Sequence, residues 1–352
     1  MALLQYKNVG ISALATAVPE NRVVNLEYPT PFPAKEAQAV IDKIGVYERR
    51  FADDKTCSSD LCFAAANKLL EDNSINRSEI DVLVFVSQTP DYRMPATSLL
   101  LQERLRLSSS TIAFDVNLAC SGFIYGLSIV YSLLQQSGLR KALLLNGETR
   151  SKVYSSKDRP VAYLFGDAGS AALIEFDDRF GDSYFSLNSD GANAGLVMIP
   201  AGGYRKPSSP NTLKEKTVDE QGNIRSEEQG YMKGDSVFGL FAKAIPKDIK
   251  NVLRFSGFSI DEIDYFVFHQ ASKFMNNFLA KKLKLDKEKV PSCLYRFGNT
   301  SSVSIPLTIS SELTNKLTGQ TRVLLNAFGA GMTWATAVLQ LKNCNISEIV
   351  EI

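Results

Sequence analysis

The sequence predicts an α/β layered protein built from two related halves. Three observations predict it. Apolar runs of strand length alternate with runs of helix length, the pattern of sheets covered by helices. The later chain repeats the earlier one. Equivalent small-residue turns in the two copies, around Cys120 and Asn299, each begin a helix-like segment.

The elements follow in chain order. Residues 8–16 read as a first strand, closed by Pro19-Glu-Asn. Residues 33–50 carry a helix-like stretch, then Ile44-Gly45-Val46 and the charged Glu48-Arg49-Arg50. Ser59 to Asp72 reads as an amphipathic helix with apolar Leu61, Ala64, Ala65, Leu69 and Leu70. Apart from Asp81, Ile80 to Val86 is apolar, as in a strand buried on both faces. Pro95 opens a helix over Ala96 to Leu105, where its missing N–H costs least. The run Thr111 to Val116 predicts a strand leading into the Cys120 turn. Phe123 to Leu134 predicts an apolar helix leading out, with Gly138 as its stop. Ala142 to Leu145 is the next strand, and Phe165-Gly-Asp-Ala-Gly169 turns into another that reaches Glu175. Residues 200–231 are polar and turn-rich, an exposed loop or flap. Ser236 to Phe255 predicts a helix with a kink at Pro246.

The repeat sets Ser74 to Val86 against Ser259 to His269, with Asp81 on Asp264. It also sets Ser137 to Asn146 against Thr318 to Asn326. Cys120 lies 25 residues before Leu145, and Asn299 lies 26 before Leu325. Two strand-and-helix copies follow, divided as residues 1–180 and 181–352. Packed about a pseudo-twofold axis, the Cys120 and Asn299 turns would face each other. His269, at a strand end of the second copy, would arrive beside them.

Composition bounds the function. The chain has 352 residues, 45% hydrophobic and 22% charged, with a net charge of +1. That balance gives no case for a nucleic-acid or membrane-surface protein. No run is long enough to span a membrane, and the N-terminus lacks a signal-peptide pattern. Cys57, Cys62, Cys120, Cys293 and Cys344 match neither a disulfide framework nor a zinc spacing, so a reducing cytoplasm is the expected compartment and no metal is expected.

Residue by residue, alternatives stand. Cys120 on a strand-to-helix turn has the placement of a sulfur nucleophile at a helix N-terminus, where the thiolate is favoured. It equally fits a small buried hydrophobe. His269 is the only histidine; alone, it reads as structural. Asn299 alone reads as a cap for a helix near Thr300. The glycines of 165–169 lead into a strand rather than a helix, which argues against phosphate binding. Lys281, Lys282 and Lys284 fit a basic docking patch or a solvated helix face.

In their order and spacing, the stretches Asp115 to Phe123, Phe165 to Gly169, His269-Gln-Ala271, Gly298 to Ser301 with Ile305-Pro306, and Phe328 to Trp334 resemble the thiolase-like condensing enzymes, closest to β-ketoacyl-acyl-carrier-protein synthase III. The resemblance spans nearly the whole chain. It implies a five-layer αβαβα fold, a homodimer, and a catalytic set of Cys120, His269 and Asn299. It implies an oxyanion hole from the N–H groups of Cys120 and Ala330. Met94, Arg159, Phe165, Asp235, Phe238, Ala271 and Lys43 fall at its substrate-contact positions. The implied reaction is decarboxylative condensation of an acyl-coenzyme A primer with malonyl-acyl-carrier protein, with no metal or redox cofactor. A non-condensing acyltransferase and a non-catalytic partner subunit are the competing functions.

The sequence departs from that pattern in places. Ala39 stands where an adenine-stacking tryptophan is usual. Lys43, Ser272, Phe274 and Asp235 replace an arginine, an asparagine, an arginine and an asparagine, and Ala330 replaces a loop glycine. Residues 200–231 are longer than usual. The departures fall on carrier and nucleotide contacts, so they bear on the acyl donor more than on the reaction.

Overall fold

The computed structural model describes residues 2–317 and 319–352. Met1 of the first half and Thr318, where the second repeat segment begins, lie outside the described residues.

Two sheets carry the fold. Their strands, in chain order, are β1 (Ala2–Tyr6), β2 (Val9–Val18), β3 (Val82–Val86), β4 (Ile112–Val116), β5 (Lys141–Glu148), β6 (Ala168–Phe176), β7 (Ser183–Ser189), β8 (Tyr265–Phe268), β9 (Gln320–Gly329) and β10 (Thr333–Lys342). The first sheet runs β2-β6-β5-β3-β4 and the second β1-β7-β10-β9-β8. Each contains the same succession of contacts. In the first, β2 is antiparallel to β6, β6 to β5, and β5 is parallel to β3. In the second, β7 is antiparallel to β10, β10 to β9, and β9 is parallel to β8. The repeat in the sequence is thus a repeat in hydrogen bonding. The chain ends cross over: β1 joins the second sheet through β7, and Asn345–Ile346 and Val350–Glu351 pair with β2 of the first.

A detail of register corrects the sequence alignment by one residue. The Asp81 N–H donates to the Lys141 carbonyl (2.9 Å), and the Asp81 carboxylate accepts the Lys141 N–H (3.0 Å). Asp264 does the same with Arg322, at 2.9 and 2.7 Å. Lys141 is therefore the counterpart of Arg322, and Leu145 rather than Asn146 is the counterpart of Asn326. The shared Leu-Leu-Asn text drew the wrong partner, because apolar strand residues are interchangeable by type.

Side-chain alternation sorts the layers. Val82, Val84 and Val86 of β3 face one core, whereas Leu83 and Phe85 face another. The same split places Val323, Leu325 and Ala327 of β9 in the shared core and Leu324 and Phe328 outside it. The shared core lies between the sheets and holds helices α3 (Gly122–Leu134) and α6 (Ser304–Glu312). Helices α1 (Ser58–Asp72) and α2 (Thr97–Arg104) cover the outer face of the first sheet. Helices α4 (Gly234–Ser256) and α5 (Lys273–Leu283) cover that of the second. Helix, sheet, helix, sheet, helix gives the five-layer αβαβα thiolase-like fold. The apolar character of α3 all round follows from its place between two sheets.

Two expectations change. Helix α2 begins at Thr97 with Ala96 as its N-cap, so Pro95 lies before the helix rather than in its first turn. Residues 200–231 carry structure. Pro210–Leu213 is a helical turn, Lys216–Thr217 pairs with Ile224–Arg225, and Tyr231–Met232 pairs with Val197–Met198. The segment is pinned to residues 153–158 by Gly230 N–H to Val153 O (2.8 Å), Ile224 N–H to Lys157 O (2.9 Å) and an Arg225–Asp158 ion pair (2.8 Å). Helix α4 is assigned continuously through Pro246.

Candidate active site

Three chain segments deliver the central side chains. Cys120 sits in the turn before α3, at the C-terminal end of β4. The end of β9 closes on it: a Cβ at Gly329 would stand 2.9 Å from both Cβ and N of Cys120. His269 follows β8 directly, and its N–H donates to Asn326 O at 2.8 Å, continuing the β8–β9 ladder. Asn299 is held by strand-like pairing, with its N–H on Leu164 O (2.9 Å) and its carbonyl accepting Gly166 N–H (3.2 Å). Gly166 is required there, since a Cβ would lie 2.3 Å from the Phe297 carbonyl oxygen. The glycine stretch 165–169 thus serves close backbone packing, as its entry into a strand suggests.

The side chains are oriented by a second set of residues. The Asn299 Oδ1 accepts the Ser301 N–H (2.9 Å). Ser301 adopts φ 53°, a left-handed conformation that costs a non-glycine residue about 1–2 kcal/mol and marks a constrained turn. His269 Nδ1 is 2.7 Å from Ser304 Oγ at the start of α6. Cys120 Sγ is 3.8 Å from Ser301 Oγ. Behind the thiol lies a buried ion pair, Arg150 and Glu148, with Nε and Oε2 3.7 Å apart.

Burial pushes the Cys120 thiol above its ordinary range. Arg150 and the Ser301 hydroxyl pull it down, and Glu148 adds to the rise. The sulfur therefore rests as a thiol. This differs from the thiolate expected at a helix N-terminus, because desolvation outweighs the favourable terminus. Burial also pushes the His269 imidazole down to about 3; the Ser301 backbone raises it and Arg150 lowers it further. His269 is therefore neutral at ordinary pH. Burial raises Asp167 to about 6, although it accepts hydrogen bonds from Ser151 and Ala52.

Cys120, His269, Asn299 and Ala330 line one cavity of about 650 Å³. Lys43, Arg159, Phe165, Asp235, Phe238 and Ala271 line it too. Ala330 lies outside the positive-φ residues, so alanine fits the loop where a glycine is usual. Phe165 stacks on Tyr154 at 4.2 Å between ring centres. Arg159 pairs with Glu36 (2.9 Å) and lies over the Phe32 ring (4.7 Å). The ammonium of Lys43 stands 5.8 Å from the centre of the Phe274 ring. Met94 is the exception: it is 85% exposed and lies outside the cavity in a single chain.

Sequence reasoning missed Gln88, Glu148, Arg150, Ser301 and Ser304. The signal for two of them was present. Glu148 and Arg150 come three and five residues after the apolar run Ala142 to Leu145, at the carboxyl end of a buried strand, where α/β sheets place ligands. The rim residues Asp219, Gln221 and Asn223 come from the 200–231 segment, and Asn223 Oδ1 accepts the Arg159 N–H (2.9 Å).

Comparison with known proteins agrees with this geometry. Residues 114–197 match the sequence model of 3-oxoacyl-[acyl-carrier-protein] synthase III, and residues 253–341 match that of its C-terminal part. A β-ketoacyl-[acyl-carrier-protein] synthase III of Desulfitobacterium hafniense is 31% identical over 95% of this chain and 98% of its own. One from Streptococcus mutans is 31% identical over 94% of this chain and 98% of its own. The crystal structure of a 3-oxoacyl-(acyl-carrier protein) synthase from Burkholderia xenovorans superposes with a TM-score of 0.93 at 36% identity, covering 100% of this chain and 99% of that one. On the matched segments, the full-length relatives and the shared fold together, the chain belongs to the 3-oxoacyl-[acyl-carrier-protein] synthase III family of thiolase-like acyltransferases.

Proposed function

We propose that the chain catalyses decarboxylative Claisen condensation of an acyl-coenzyme A primer with malonyl-acyl-carrier protein. The observation that carries this is the shared cavity of a thiol, a neutral imidazole and an amide whose oxygen is already occupied. Cys120 attacks the primer thioester. A new carbon–sulfur bond forms as the bond to coenzyme A breaks, and the thiol proton leaves with coenzyme A. Ala330 and Cys120 N–H groups hold the oxyanion of that step.

The second step makes a carbanion equivalent. Malonyl thioester loses carbon dioxide, and the electron pair passes into an enolate. The tautomer in which Ser304 Oγ donates to Nδ1 carries the His269 proton on Nε2, and that N–H is the donor this reading assigns to the enolate oxygen. The Asn299 Nδ2 supplies the second donor. Such donors are worth roughly 10²–10³ in rate each. The enolate carbon then attacks the Cys120 thioester, and the thiolate leaves. No metal or redox cofactor is needed, because decarboxylation itself supplies the electron pair.

Residues 1–180 and 181–352 act as two halves that each contribute to the site. A homodimer is supported by the edge strand β4 and by exposed Tyr92, Met94, Leu99 and Ile112 beside it. Exposed Lys281, Lys282 and Lys284 at the end of α5 support docking of an acidic carrier protein. A cytoplasmic location fits five free cysteines, and no helix among the described residues is long and apolar enough to cross a membrane. The direct test supplies radiolabelled malonyl-carrier protein and an acyl-coenzyme A. Release of one carbon dioxide per 3-oxoacyl product supports condensation, whereas acyl transfer without carbon dioxide release contradicts it.

A further inference from the structure

The cavity that holds Cys120 carries one buried cation, Arg150, in a lining that is otherwise largely apolar. Arg150 is 4% exposed and lines the cavity. A guanidinium carries five N–H donors. Nη2 donates to Gln88 Oε1 (3.0 Å) and Ser301 Oγ (3.4 Å). Nε is sealed from solvent and makes no hydrogen bond. The two Nη1 hydrogens have no acceptor among the described residues. The Ser301 hydroxyl that receives Arg150 also stands 3.8 Å from the Cys120 sulfur. An acyl group on that sulfur shares its cavity with Arg150, whose guanidinium otherwise meets the faces of Tyr154 and Phe165 at 5.9 Å.

Arg150 already has a carboxyl partner. Burial pushes the Glu148 carboxyl up, while Arg150 and three donors, Gln88 N–H (3.3 Å), Thr89 Oγ1 (3.2 Å) and Ser301 Oγ (3.3 Å), pull it toward the carboxylate form. The wall needs an acceptor more than it needs an anion. Covering the free donors with methylene groups would strand them without water or partner.

We infer that Arg150 is a specificity-determining residue that selects, for loading onto Cys120, a short acyl group bearing a neutral hydroxyl or oxo oxygen. The inference rests on the acyl-enzyme reading above. Loading forms the Cys120 thioester, breaks the donor thioester and leaves the thiol proton on the released coenzyme A, whichever acyl group is used.

The test is a competition. The full chain is offered equal 3-hydroxybutyryl-, butyryl- and succinyl-coenzyme A, and the adduct on Cys120 is read by intact-protein mass spectrometry. The wild type should load 3-hydroxybutyryl faster than butyryl on the order of 10- to 100-fold. Arg150→Met should bring that ratio to about one or reverse it. Because the single change strands Glu148, the double variant Arg150→Met with Glu148→Gln repeats the measurement without a lone buried carboxylate. Preference of the wild type for butyryl or succinyl overturns the inference. So does an equal slowing of all donors in both variants, with a matching shift in the pH profile of iodoacetamide alkylation, which would make Arg150 a tuner of the thiol. Absence of any adduct on Cys120 from these donors and from acetyl-coenzyme A would instead overturn the acyl-enzyme reading, and the inference with it.

Discussion

The side-chain oxygen of Asn299 accepts the Ser301 N–H at 2.9 Å, and this bond decides which end of the amide faces the cavity. With Oδ1 occupied, Nδ2 is the end left to meet a substrate. Asn299→Asp keeps the acceptor and removes the donor. Acyl loading on Cys120 should persist, while malonyl decarboxylation should fall roughly 10²–10³-fold. Steady-state carbon dioxide release, set beside the rate of adduct formation, measures both.

Ser304 acts through His269 rather than on substrate. Its hydroxyl lies 2.7 Å from Nδ1. Removing it by Ser304→Ala frees the ring to turn and leaves its tautomer unset. The turnover number should drop about 5- to 20-fold with KM for malonyl-carrier protein little changed. Ser304→Thr should recover most of the loss. A rise in KM with unchanged turnover would place Ser304 in binding instead.

The imidazole of His269 gives a pH signature. Its pKa is depressed by burial from 6.5 to about 3. A base depressed by folding stabilises the fold fully above its unfolded pKa and loses that contribution as pH falls toward the folded value. Between pH 6.5 and 4 the loss is on the order of 3 kcal/mol. Urea unfolding at several pH values should therefore show a steeper acid decline for the wild type than for His269→Gln. Parallel curves would contradict a buried neutral ring. Decarboxylation, for the same reason, should show no inflection from His269 near pH 6.5.

Gly329 holds the nucleophile from behind. A methyl group there would meet Cys120 Cβ and N at 2.9 Å, closer than packed atoms tolerate. Gly329→Ala should slow acyl loading at least tenfold, since a small displacement of a reacting atom is costly. Circular dichroism should show the fold retained. Unchanged loading would mean that the Cys120 turn is softer than its packing indicates.

The 200–231 segment reaches the cavity rim through Asn223, whose Oδ1 accepts the Arg159 N–H at 2.9 Å. Asn223→Ala should raise KM for the acyl donor several-fold and leave turnover within about twofold. An effect on turnover instead of KM would place the segment in the chemistry.

Much of this was legible in the chain. Cys120, His269 and Asn299 could be found because the repeat sets the Cys120 and Asn299 turns at equivalent places, each ahead of a helix of the shared core, and puts His269 at the end of a second-copy strand. The register was one residue off, since Leu145 and Leu325 look alike as text and only Asp81 and Asp264 tell Lys141 and Arg322 apart by hydrogen bonding. The protonation state of Cys120 was not legible, because it depends on desolvation by the assembled cavity rather than on the local turn. Arg150 and Glu148 escaped notice for a similar reason: only in the fold does the second half of the chain, through Ser301, cover them.

The most direct test of the central claim follows wild type, Cys120→Ala, His269→Ala and Asn299→Ala through one reaction with an accepted acyl donor and labelled malonyl-carrier protein. Adduct mass and carbon dioxide are read together. The account predicts no adduct on Cys120→Ala, and an adduct that accumulates on His269→Ala and Asn299→Ala with decarboxylation reduced on the order of 10²–10³-fold. Full decarboxylation and condensation by Asn299→Ala, or a normal adduct on Cys120→Ala, would contradict it.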